Sequence, residues 1–190
     1  MDWFEEISGI RPAFGGYHTT QGTKNAVVNL GNKRYLEILA ADDTNKAINP
    51  PRWMGIDFLE AAQFTRWSLK STDLPTDSQI LKKYDAKMGR IEGGQRKTTN
   101  GNILTWQMIM PLVAPQVEVM PFMTDWQNSE VHPTDTMPNQ CELLSMHFTH
   151  PTPNLLVPTL RELALELAIK KQENKSIKAK IRCPKGIIEI

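Results

Sequence analysis

The chain has 190 residues, 22 basic and 21 acidic, for a net charge of +1. That length suits one domain, or two small halves sharing a core. The balanced charge lacks the basic excess or stripe of a nucleic-acid binder, and no apolar run approaches the ~20 residues of a membrane span. The acidic start MDWFEEISGI is unlike a signal peptide. Two cysteines, Cys141 and Cys183, are too few for a disulfide framework and have no Cys-x-x-Cys spacing. Buried or partly buried free thiols in a reducing, cytoplasmic setting are expected.

In chain order, residues 2–8 read as a short helix capped by Asp2 and ended by Gly9. Residues 23–30 and 34–40 read as a hairpin turning at Gly31-Asn32. The polar stretch 42–60, with Pro50-Pro51, reads as a loop. FTRWSLKS (64–71) reads as a strand, and DSQILKKYDAKM (77–88) as a helix capped by Asp77. Asn100-Gly101 is a hairpin signal ahead of the strand ILTWQMIM. PFMTDW (121–126) reads as a short strand, 127–140 as a surface loop and LLSMHFTH (143–150) as a strand stopped by Pro151. LLVPTLRELALELAIKK reads as a helix with Pro158 in its first turn. IKAKIRC alternates with period two, and Pro184-Lys185-Gly186 turns it into IIEI.

Helix, strand, turn, strand thus occurs three times, and LGNKRYLEIL and RCPKGIIEI both set one glutamate between aliphatics after a tight turn. This suggests a duplicated unit. The expectation is a single α+β domain of βαββ modules at about 1–41, 64–110 and 143–190. The first module lacks its leading strand because the chain starts at the helix. The hairpins 23–40 and 177–190 are expected to be equivalent, with Glu37 and Glu189 at matching positions. The sheet edge left by the missing strand is expected to be covered, by a neighbouring element or by a second subunit in a homodimer.

The stretch GGYHTTQGTKN is glycine-rich but is no phosphate loop. Five residues separate Gly16 from Gly22 where a phosphate loop has four, Thr23 intrudes before Lys24, and Asn25 replaces the hydroxyl residue of a Gly-Lys-Ser/Thr. There is also no Gly-x-Ser-x-Gly elbow of a serine hydrolase.

The order of motifs carries a family resemblance. An opening helix, GGYH, GTKN and YLE are followed by WSLKSTDL, NGNILTW, PFMTDW with His132-Pro133, and His150-Pro151. This is similar to the glyoxalase-like domain group of the vicinal-oxygen-chelate superfamily, to which glyoxalase I and the extradiol dioxygenases belong. CPKGIIEI resembles that superfamily's closing Asp-Pro-x-Gly-x-x-x-Glu, without the aspartate and one residue shorter. The resemblance implies curved mixed sheets around a cleft. It also implies a divalent metal held by imidazole and carboxylate ligands, although the strand that often supplies one histidine is missing here.

Strand alternation sets Tyr35, Glu37 and Leu39 on one face, with Leu36, Ile38 and Ala40 on the helix-packed face. Glu189 and His147 likewise point away from the helices. Glu37, Glu189 and His147 are therefore the metal candidates by position; the alternative is that both glutamates bond polar groups of the cleft or face water. His18 and Glu37 are the catalytic candidates, a titratable imidazole beside a carboxylate. Thr23, Asn25 and Trp126 are the ligand-binding candidates. For His18 and Asn25 the alternative is that they brace their own loop. The opening stretch is expected to line the mouth of a pocket reached by His18, Asn25 and Glu37. Two functions follow: a glyoxalase- or lyase-like enzyme acting on a small carbonyl compound, or a non-catalytic protein binding a small molecule in the same cleft.

Overall fold

The computed structural model describes residues 1–97 and 101–190. In chain order it has helix α1 (Asp2–Ser8), strands β1 (Ala13–His18), β2 (Thr23–Asn29) and β3 (Tyr35–Ala41), and a 3-10 segment at Trp53–Phe58. Next come β4 (Ser68–Lys70), α2 (Leu74–Tyr84), β5 (Ile91–Lys97), β6 (Ile103–Ile109) and β7 (Phe122–Asp125). The last part holds β8 (Glu142–His150), a 3-10 turn at Pro153–Leu155, α3 (Val157–Glu162), β9 (Ile169–Lys171), β10 (Ser176–Cys183) and β11 (Gly186–Glu189). Among the described residues the strands form three open sheets, ordered β1-β2-β3, β4-β7-β6-β5 and β11-β10-β8-β9. Pairs β4–β7 and β8–β9 are parallel; the others are antiparallel.

The class is α+β, but the expected βαββ unit is corrected. Three strands, not two, follow each helix: β1 to β3 after α1, β5 to β7 after α2, and β9 to β11 after α3. Two of the extra strands are ones sequence pattern hides, the glycine-interrupted AFGGYH and the three-residue IKK; the third, FMTD, is the short strand expected within PFMTDW. The hairpins β2–β3 and β10–β11 both form, in separate sheets. Glu37 stands opposite Val27, whereas Glu189 stands opposite Lys180. β1 lies along one edge of β2, and the Trp53–Phe58 segment packs against β3.

Other boundaries shift for identifiable reasons. The strand expected over 64–71 is regular only at Ser68–Lys70, because Arg66 turns its guanidinium to four backbone carbonyls, those of Thr65, Leu112, Ala114 and Gln116. α2 starts at Leu74 rather than Asp77 because Asp73 caps it, accepting from the Thr76 N–H at 3.2 Å. Asp77 instead accepts from the Ser71 hydroxyl at 2.6 Å. α1 has no side-chain cap, but Gly9 ends it at φ 78° as expected. The turn expected at Asn100-Gly101 lies partly outside the described residues; β5 and β6 on either side pair antiparallel.

The long helix expected over 155–171 is replaced by the six-residue α3, an extended segment and β9. Ala164, at φ 55°, adopts the left-handed conformation just past the helix. Its N–H meets Arg161 O at 2.9 Å and that of Leu165 meets Leu160 O at 2.8 Å, a Schellman closure without the usual glycine. Beyond it Leu165, Leu167 and Ile169 recur with period two, and these three pack against the core together with Leu163 of the helix end. Burial at that period outweighs the helix propensity of ALELA.

The core has two clusters. One joins α2, α3 and the sheets beside them through Leu81, Met88, Ile109, Met120, Phe148 and Leu156. The other, between the first and third sheets, contains Phe4, Val28, Leu36, Ile181 and the two cysteines. Phe64 packs against both. α1 is too short to persist alone, so its place depends on burying Phe4, which is wholly inaccessible; that burial is worth about 2–3 kcal/mol.

The left-handed Ala164 makes a direct test. Ala164→Gly relieves the steric cost of that conformation and should raise the unfolding free energy by about 0.5–1 kcal/mol despite glycine's freer unfolded chain. Urea unfolding of the two proteins reads it, and a continuous helix through 164 would predict a loss instead.

Candidate functional site

The face of the first sheet that carries Glu37 is built by strand pairing. His18 of β1 stands opposite Thr23 of β2, and Gly16 opposite Asn25. The register shifts between Phe14 and Gly16, so Gly15 is the extra residue of a bulge. A Cβ on Gly15 would sit 2.2 Å from Asn25 Oδ1, so only glycine lets β1 lie over the asparagine. β3 returns antiparallel to β2, with Val27 opposite Glu37 and Asn25 opposite Leu39. Asn25 and Glu37 are thus diagonal neighbours on one face.

The side chains then meet. Asn25 Nδ2 donates to Glu37 Oε1 at 2.6 Å. His18 Nδ1 lies 3.0 Å from Thr23 Oγ1, and His18 Nε2 lies 3.9 Å from the same Glu37 oxygen. The His18 side chain is 11% exposed and that of Glu37 34%, so the pair is sheltered on the histidine side and open on the carboxylate side. Thr23 is fully buried, and its hydroxyl is engaged by His18. The Trp53 ring stands perpendicular to His18 with centroids 5.3 Å apart. Among the described residues, neither Asn25 Oδ1 nor Trp53 Nε1 has a hydrogen-bond partner, although both are shut from solvent.

A run of rings adjoins Glu37. Tyr35, two residues before Glu37 on the same face, lies 5.9 Å from His132 between centroids. His132 lies 5.8 Å from Trp126, and Trp126 lies 5.6 Å from Trp106. Trp106 is opposite Gly94, whose missing side chain leaves room for the indole. The segment bearing His132 is fastened to the first sheet from both ends of a short stretch. Asn29 donates to the carbonyls of Thr134 and Met137, at 3.3 and 3.1 Å, and Lys33 pairs with Asp135.

The opening stretch therefore does bring His18, Thr23, Asn25 and Glu37 together, and Trp126 stands in the adjoining aromatic run. A cavity of about 440 Å³ opens elsewhere, at the β2–β3 turn, lined by Leu30, Arg34, Cys141, Arg182 and Cys183 among others and by none of these residues. Sequence pattern did not single out Trp53, and it marked His132 only as part of a family motif within a surface loop. Tyr35 was legible as sharing the face of Glu37, but the approach of His132 rests on contacts between residues more than 100 positions apart, which no local pattern carries.

Glu37, Glu189 and His147 do not come together. Glu189 sits between Lys178 and Lys180, at 3.7 and 3.6 Å, and His147 bonds Ser145 at 3.0 Å opposite Lys178. Two ammonium groups occupy the surroundings a cation would need. Among the described residues, no three of His, Cys, Asp and Glu gather as metal ligands. The donor set at Glu37, one imidazole, one carboxylate and an amide, does not fit the superfamily's metal.

The chain belongs to the glyoxalase-like domain family, whose model matches residues 1–164. Its fold is consistent with the vicinal-oxygen-chelate superfamily. A crystal structure of a hypothetical protein from Staphylococcus aureus has a similar fold, with a TM-score of 0.60 and 16% identity over 98% of this chain and 79% of that one. At that identity the likeness concerns the fold alone. None of the curated proteins matches this chain.

Gly15→Ala should push Asn25 off Glu37 and cost about 1–3 kcal/mol. Gly93→Ala, whose Cβ would meet only Trp106 O at 3.6 Å, should be close to neutral. Thermal unfolding of both variants checks the bulge; equal effects would remove it from the site.

His132 gives a pH test. Burial, then the nearby Lys33, pushes its pKa below the ordinary histidine value, against the pull of Asp135. The unfolded chain then binds the proton more readily than the folded one. This histidine's contribution is present above the unfolded pKa of about 6.5 and is lost as pH falls through it. His132→Gln should flatten the loss of stability between about pH 7 and 5. Part of the slope should persist, since burial lowers the pKa of His150 too.

Proposed function

We propose that the chain is an enzyme that moves a proton next to the carbonyl of a small metabolite, a glyoxalase- or lyase-type step. Glu37 takes the proton from the carbon, the C–H electron pair passes to the carbonyl oxygen, and His18 hydrogen-bonds the resulting enolate. Return of the proton to the neighbouring atom, or loss of a leaving group there, completes the turnover. The observation that carries this reading is the shared geometry of His18 and Glu37, 3.9 Å apart with Asn25 fixed to the same carboxylate oxygen.

Three features support it. Thr23 holds His18 Nδ1, which directs the opposite ring nitrogen to Glu37. Asn25 orients Glu37, its amide donating to one carboxylate oxygen at 2.6 Å. Trp53 Nε1, a donor without a partner among the described residues, stands on the ring beside His18. The second reading is a small-molecule binding protein. It is favoured by the Tyr35–His132–Trp126–Trp106 run, a surface suited to a flat or apolar ligand whether or not chemistry follows.

Deuterium exchange in D2O distinguishes them. A panel of 2-oxo acids, hydroxyketones and aldehydes is followed by proton NMR for loss of the signal next to the carbonyl. The enzyme reading expects exchange with at least one compound, slowed about 100-fold or more by Glu37→Gln. Glutamine can still accept from Asn25, so this variant should unfold like the wild type. Binding without exchange, weakened by Trp126→Ala, would establish the second reading. No exchange and no binding across the panel would sink both.

A further inference from the structure

Cys141 and Cys183 are 42 positions apart, yet strand pairing sets them side by side. β8 and β10 run antiparallel with Leu143 opposite Ile181 and Glu142 opposite Arg182. The next pair in that register is Cys141 and Cys183. Their sulfurs are 3.0 Å apart and both side chains are buried, at 4% and 6% exposure. A disulfide bond is about 2.05 Å long, so bonding needs an approach of only about 1 Å. Both cysteines also line the 440 Å³ cavity at the β2–β3 turn, which gives a small reagent a route to them.

We propose that Cys141 and Cys183 are a modification site that closes into a reversible intramolecular disulfide, with a small-molecule disulfide as oxidant. One cysteine thiolate attacks a sulfur of the reagent and expels the first reagent thiol, leaving a mixed disulfide on the protein. The second cysteine gives up its proton and attacks the protein-side sulfur, and the second reagent thiol leaves. Two protein thiols and one reagent disulfide become one protein disulfide and two reagent thiols. Burial and the neighbouring thiol push the Cys141 pKa up to about 12, so the exchange is slow at neutral pH and quickens as pH rises.

The bond would staple the start of β8 to the end of β10. That junction is where the third sheet meets the first: Leu143 N–H reaches Leu30 O at 3.5 Å, and both cysteines pack with Phe4, Val28 and Leu36. The loop it closes is long, so the bond restricts the unfolded chain strongly. Oxidation therefore stabilises this end of the molecule without touching the His18–Glu37 face.

The test uses the full chain held in graded mixtures of oxidised and reduced glutathione at pH 8, quenched in acid, then unfolded and alkylated. The expected product is a monomer lacking two hydrogens, with neither cysteine alkylated, and with a melting midpoint about 5–10 °C higher. Dithiothreitol should restore both thiols and the original midpoint. Cys141→Ala and Cys183→Ala should each stop at one glutathione per chain and show no rise in melting point. Two alkylatable thiols after the most oxidising mixture, a persistent mixed disulfide on the wild type, a disulfide-linked dimer, or a lowered melting point would each overturn the proposal.

Discussion

Strand β2 is buried along almost its whole length, and one of its two faces carries three buried polar residues. Val28 and then Leu30 face the core shared with α1 and the third sheet. Thr23, Asn25 and Asn29 face the other way, each less than 9% exposed. A buried amide or hydroxyl left without a partner costs about 1–3 kcal/mol, so each must be answered by a neighbour. Those answers create the site. Thr23 holds His18, Asn25 holds Glu37, and Asn29 holds the carbonyls of Thr134 and Met137, bringing His132 beside Tyr35.

The same demand explains how the distant wall is placed. The segment between β6 and β7 has little regular structure, so its carbonyls need donors from elsewhere. Arg66 supplies hydrogen bonds to three of them, and Trp67 Nε1 bonds Val119 O at 2.7 Å. With that segment held, β7 inserts between β4 and β6, and Trp126 emerges from its end against Trp106. Side chains that satisfy backbone in one place thereby set ring positions in another. Stability and site geometry are coupled, which is why variants at Gly15 or Asn29 would alter both.

Two surfaces that look alike in sequence diverge chemically. Glu37 and Glu189 each follow a tight turn and sit between aliphatics. Glu37 meets an asparagine and a histidine. Glu189 meets Lys178 and Lys180 on an exposed strand face, an arrangement worth little beyond solvation. The difference comes from the strand opposite, TKNAVVN in one hairpin and SIKAKIR in the other. A glutamate's role is thus decided by its cross-strand neighbours.

Local pattern determined much of this protein by itself. Period-two alternation marked β2, β3, β8 and β10, tight turns marked the hairpins, and the face shared by Tyr35 and Glu37 followed from pleating alone. The motif order marked the family. Tertiary structure decided the rest. GGYH became a strand because Gly15 lets it bulge over Asn25; the chain after Ala164 left the helix because its leucines bury at period two; Cys141 met Cys183 because β8 and β10 share a register. Each of these depends on a partner far along the chain, and the energy of such contacts resides in pairs that a local window of sequence never contains.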